Sequence, residues 1–65
     1  MNISIREHIR KNFKDSTIDE LKDSIIESIN SNDEVVLPGL GVLFEILWKN
    51  YDNTEELLKT IHNNL

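Results

Sequence analysis

Apolar positions along the chain recur at intervals of three and four, the spacing of one face of an α-helix. Ile5, Ile9 and Phe13 form the first such row, and Ser4 with Glu7 has the spacing of a capping box at its start. Ile18, Leu21, Ile25, Ile26 and Ile29 form a second, wider stripe, again preceded by a capping pair, Thr17 and Glu20. The polar cluster Asn30-Ser31-Asn32-Asp33 closes it. Near the end, Leu57, Leu58, Ile61 and Leu65 repeat the pattern behind a cap at Asn53. The spacing predicts helices near residues 4–14, 17–30 and 54–64.

The stretch from Val35 to Lys49 is different, because it is apolar almost throughout and Glu45 is its only acid. Two structures compete for it. A helix over residues 38–50 suits Pro38, whose missing N–H has no intrahelical partner in a first turn. Leu40, Leu43, Phe44 and Leu47 would then share a face, with Phe44 in the core. Gly41, Glu45 and Lys49 would form the one narrow polar strip. A β-hairpin over residues 35–48 would instead turn at Gly39-Leu40-Gly41, but its second strand lacks alternation. The helical reading is preferred. The predicted fold is therefore all-α, a small single-domain bundle of four short helices spanning 1–65, with the third helix central and packed by the other three. The alternative is α+β, with two helices, a hairpin and a C-terminal helix.

Length limits what this pattern can build. Sixty-five residues make one domain, and a chain this short buries only roughly 60% of the surface it exposes unfolded. There is no cysteine to staple it and no alanine, the best helix former, to favour helix locally. Packing and caps must do the work. No apolar run approaches the roughly 18 residues of a membrane span, and the N-terminus lacks a signal-peptide core, so a cytoplasmic location without membrane attachment is expected.

Charge is unevenly spread. The net charge is −5, yet residues 1–14 hold four basic side chains and one acid, a net of +3. Arg6, Arg10 and Lys14 line up on the first helix, with Lys11 beside them. The remainder carries −8, including the row Asp19, Asp23 and Glu27 on the second helix. If the first two helices lie antiparallel across their short connection, the acidic row faces the basic one. The sharper use of Arg6, Arg10, Lys11 and Lys14 is contact with nucleic-acid phosphates, as the one positive patch of an acidic protein. The overall negative charge disfavours it.

Candidate chemistry is sparse. Gly39-Leu40-Gly41 lacks the third glycine and the βαβ setting of a dinucleotide fingerprint, so close backbone approach or a tight turn explains it better. His8 and His62 have no companions at ligand spacing. The acidic pairs Asp19-Glu20 and Glu55-Glu56 fall where helix starts favour carboxylates. The expectation is a protein that is not an enzyme, with no catalytic, cofactor or metal residues and no small-molecule substrate.

The thirteen residues Leu37-Pro38-Gly39-Leu40-Gly41-Val42-Leu43-Phe44-Glu45-Ile46-Leu47-Trp48-Lys49 closely resemble the signature of the small acid-soluble spore protein I family of endospore-forming bacteria. Chain length and the acidic loop at Asp33-Glu34 are similar as well. The resemblance implies a minor protein made in the forespore during sporulation and kept in the spore core, with a structural, storage or interaction role and no catalytic residues to carry over. The abundant DNA-coating spore proteins are not similar to this chain. A weaker similarity, two helices before a Gly-x-Gly hairpin as in histone-like DNA-binding proteins, is off by one residue and lacks their long basic arm.

A nearly all-apolar third helix leaves little margin for coverage by three short neighbours. The strip bearing Gly41 is the place where coverage should fail, because a glycine admits a second backbone closely. A weak homodimer is expected, with Gly41 and Trp48 at the contact and a Glu45–Lys49 pair at its rim.

Overall fold

The computed structural model describes residues 4–65, so the first three residues of the predicted domain lie outside it. Four α-helices follow one another: α1 (Ile5–Phe13), α2 (Ile18–Ser31), α3 (Leu37–Asn50) and α4 (Thr54–Asn63), with a 3₁₀ turn at Glu34–Val36 before α3. All four predicted helices are present, each within a residue of its expected bounds. The all-α class holds, and no strand occurs among the described residues.

α1, α2 and α4 each start where a side chain satisfies a free backbone N–H, whereas α3 has no side-chain cap and continues from the 3₁₀ turn with Pro38 in its first turn. The Ser4 hydroxyl accepts from the Glu7 N–H at 3.5 Å. At α2 the capping box is complete, since Glu20 N–H donates to Thr17 Oγ1 at 3.1 Å and Thr17 N–H to Glu20 Oε1 at 3.3 Å. Asn53 Oδ1 accepts from the Glu56 N–H at 3.2 Å. Asn32 ends α2 in the left-handed region, at φ 55°, a conformation asparagine tolerates better than most residues. Asp33 Oδ1 then takes the Val35 N–H at 3.0 Å and turns the chain into α3.

The hairpin alternative is excluded over residues 35–48. Pro38 lies in the first turn of α3, where it breaks no bond. Neither glycine has the positive φ a tight hairpin turn would need, so both simply continue the helix.

Packing departs from expectation in three ways. First, α3 is not evenly surrounded: its principal neighbours are α1 and the 3₁₀ turn. Second, the side of α3 turned inward is set by small residues. A Cβ on Gly39 would stand 3.2 Å from Ile9 Cδ1, so α1 comes close there, and Val42 is buried at 7% exposure. Phe44, expected in the core, is 42% exposed instead. Third, the wide stripe of α2 is covered only along Leu21, Ser24, Ile25 and Ser28, and Ile18, Ile26 and Ile29 remain exposed. The radius of gyration is 13.1 Å, against about 10.7 Å for a compact 65-residue domain.

Candidate interaction site

The ion pair that links α1 to α3 was not legible from the charge rows. Arg6 donates from Nε to Glu45 Oε1 and from Nη2 to Glu45 Oε2, both at 2.7 Å, a bidentate pair between α1 and α3. It is the one ion pair among the described residues. The expected facing of the α1 and α2 rows is therefore corrected: Asp19, Asp23 and Glu27 are exposed, and Arg6 spends its charge on α3. The Arg6 hydrogen bond holds the Glu45 carboxyl below its ordinary range, against partial desolvation, and the charges of Arg6, Lys49 and Arg10 act in the same direction. Arg6 is raised in return, chiefly by the same hydrogen bond. The expected Glu45–Lys49 partnership is corrected as well, since Arg6 takes both carboxylate oxygens.

The remaining basic candidates, Arg10, Lys11 and Lys14, are all exposed on and just after α1. Arg6 does not stand free with them. The structure thus divides the basic row into one structural arginine and three solvated cations.

On the side of α3 turned away from Gly39 and Val42, next to Glu45, lies an uncovered apolar face. Gly41 has nothing within 4 Å of where a Cβ would stand. Around it, Leu37 is 57%, Phe44 42% and Trp48 38% exposed. The Phe44 and Trp48 rings pack on each other one turn apart, centroids 6.1 Å apart and planes tilted by 38°. With 100° per residue, Leu37, Gly41, Phe44 and Trp48 fall within about 60° of one another around the helix. Two of these, Gly41 and Trp48, were singled out in the sequence. Leu37 and Phe44 were missed, because an apolar helix gives no periodic sign of which side its neighbours will choose.

A cleft of about 410 Å³ opens between α1, α2 and the start of α3, lined by Ile9, Phe13, Ile25, Leu40 and Leu43 with His8 and Asn12 at its side. Asn12 Nδ2 lies 3.2 Å from His8 Nε2, so these two polar groups satisfy each other. No group of three or more potential metal-ligating side chains occurs among the described residues, and no helix there is long and apolar enough to cross a membrane.

These features define a small all-α module whose distinctive surface is one apolar helix face. The family profile described as Small, acid-soluble spore protein I matches residues 3–65, and the chain belongs to that family. The protein of that name from Bacillus cytotoxicus is 42% identical over 67 residues, covering 100% of this chain and 96% of its own. Those from Bacillus cereus and Bacillus anthracis are also 42% identical, covering 100% of this chain and 97% of theirs. No solved structure matches the chain. The thirteen-residue segment that carried the resemblance is α3 without its last residue.

Proposed function

We propose that this chain is a non-catalytic protein of the spore core, made in the forespore during sporulation, and that it works by contact through the outer face of α3. One observation carries the reading. On the outer face of α3, Leu37, Phe44 and Trp48 stay exposed around Gly41, where nothing lies within 4 Å of an added Cβ. A protein that invests its most apolar helix in a face it leaves uncovered is built to bring that face against another surface. Family membership supports the setting, a spore protein, and the charge distribution supports contact with protein over contact with nucleic acid. Arg6 is engaged within the chain, and eleven acids stand against three basic residues beyond position 14.

The test follows the protein in sporulating cells through a fluorescent fusion. Signal should appear in the forespore and persist in the dormant spore. Accumulation in growing cells or in the mother cell would overturn the reading.

A further inference from the structure

α2 turns its less apolar side inward. Ser24 and Ser28 are half-buried against the cleft, whereas Ile18 is 85%, Ile29 59% and Ile26 46% exposed. At 100° per residue the covered stripe of α2 is about 100° wide, with Leu21 and Ile25 on one flank and Ser24 and Ser28 on the other. Rotating α2 by about 60° about its axis would carry both serines out and bring Ile18 and Ile29 in beside Ile25. Burial of apolar surface favours that second register. The register that α2 adopts therefore has a cause other than core packing, and the cleft supplies one.

We infer that the cleft between α1, α2 and the start of α3 is a binding site for a small uncharged molecule with an apolar body and one hydroxyl or carbonyl group. Its volume of about 410 Å³ falls within the roughly 300–1,000 Å³ of small-molecule sites. Ile9 and Phe13 from α1, Ile25 from α2, and Leu40 and Leu43 from α3 form apolar walls. Ser24 and Ser28 add two hydroxyls one turn apart on the α2 wall, each able to donate and to accept. Among the described residues neither hydroxyl takes part in a hydrogen bond, whereas Ser31 Oγ donates to the Ser28 carbonyl at 2.8 Å. His8 is already engaged, its Nε2 lying 3.2 Å from Asn12 Nδ2. None of the described residues lining the cleft is Asp, Glu, Lys or Arg, although these make up 29% of the chain. An ionised ligand would lose its hydration there and find no counter-charge, so the occupant is neutral. Its polar group meets the serine hydroxyls, and its apolar body fills the space that core side chains leave. The site is separate from the outer face of α3, so either can stand without the other.

The test uses the full chain at neutral pH and three probes of similar shape. 1-Naphthol is neutral with one hydroxyl, naphthalene has no polar group, and 1-naphthoate is ionised. 1-Naphthol should bind saturably at one site in calorimetric titration and raise the melting temperature, since a ligand of the folded state stabilises it. Naphthalene should bind roughly fivefold more weakly, for want of a hydrogen bond, and 1-naphthoate not measurably. Bound 1-naphthol should shift the methyl resonances of Ile9, Ile25, Leu40 and Leu43 and leave those of Leu37 and the Trp48 indole in place. Replacing Ser24 and Ser28 together by Ala keeps the helix, because alanine favours it, and should lower 1-naphthol to the affinity of naphthalene. Four results would each overturn the inference. They are no saturable binding of 1-naphthol, 1-naphthoate binding as tightly, shifts centred on Leu37 and Trp48, and a double-serine variant that binds like the parent. None of these depends on where the protein accumulates, so failure of the ligand site and failure of the spore-core reading are told apart.

Discussion

Arg6 and Glu45 stand 39 residues apart in sequence and meet in two hydrogen bonds of 2.7 Å each. The pair joins the first turn of α1 to the middle of α3, so its protonation bears on the tertiary contact. Glu45 has a depressed folded pKa, chiefly through the Arg6 hydrogen bond. Its contribution is therefore complete above the ordinary carboxylate range and is lost as pH falls through the depressed folded value. Thermal melts should be level near neutrality and fall on acidification below that range. Glu45→Gln should melt lower at pH 7 and depend less on pH in acid. Identical acid profiles for variant and parent would show that the pair does not hold α3 on α1.

The two glycines of α3 should respond oppositely to a methyl group. At Gly41 an added Cβ meets open space, so Gly41→Ala should stabilise the monomer by about 0.5–1 kcal/mol through helix propensity alone. At Gly39 the same methyl meets Ile9 Cδ1 at 3.2 Å, and the Ile9 side chain must give by a few tenths of an ångström to admit it. Gly39→Ala should gain less than Gly41→Ala, and Gly39→Val should destabilise. Melting temperatures of the two variants and the parent give the order. Equal gains at both positions would contradict the close approach of α1.

Burial separates Val42 from Phe44. Val42→Ala removes side-chain volume from the one buried position among the described residues and should cost roughly 1–2 kcal/mol. Phe44→Ala removes a much larger group, yet one already 42% exposed. Its cost to the monomer should fall to about 1 kcal/mol, well short of the roughly 3–5 kcal/mol of a fully buried phenylalanine. Urea denaturation of dilute samples measures both. A larger loss at Phe44 than at Val42 would put the core on the other side of α3.

Helix positions were legible in the sequence because they depend on local chemistry. Thr17 with Glu20, Asn53 with Glu56, and Pro38 in a first turn each act within four residues of the helix they start. The orientation of α3 was not legible. A helix of Leu, Val, Phe and Ile on nearly every side has no preferred inward face of its own, and the choice falls to steric fit, with Ile9 seating against Gly39. The partner of Arg6 was hidden for a related reason. Charge rows on α1 and α2 suggested one pairing, but Glu45 is a lone acid in an apolar segment, and only tertiary packing brings it to Arg6. Gly39 and Gly41 look alike in the sequence, and only the packing of α1 makes one a close contact and leaves the other in open space.

The basic patch that remains on α1 gives the last prediction. Arg10, Lys11 and Lys14 are exposed, and a phosphate backbone attracts such a cluster whatever the fold. Three cations release few counterions, however, and the chain around them carries a net charge of −5. Arg6 could join them only by leaving Glu45, which would forfeit a bidentate contact and free one more carboxylate to repel the duplex. Gel retardation with a short DNA duplex should therefore show no complex at about 50 mM salt. Glu45→Gln frees Arg6 without adding an acid and is the stringent control. Retardation by the parent that disappears steeply with salt and on replacing Arg10 and Lys11 by Ala would instead make α1 a nucleic-acid contact.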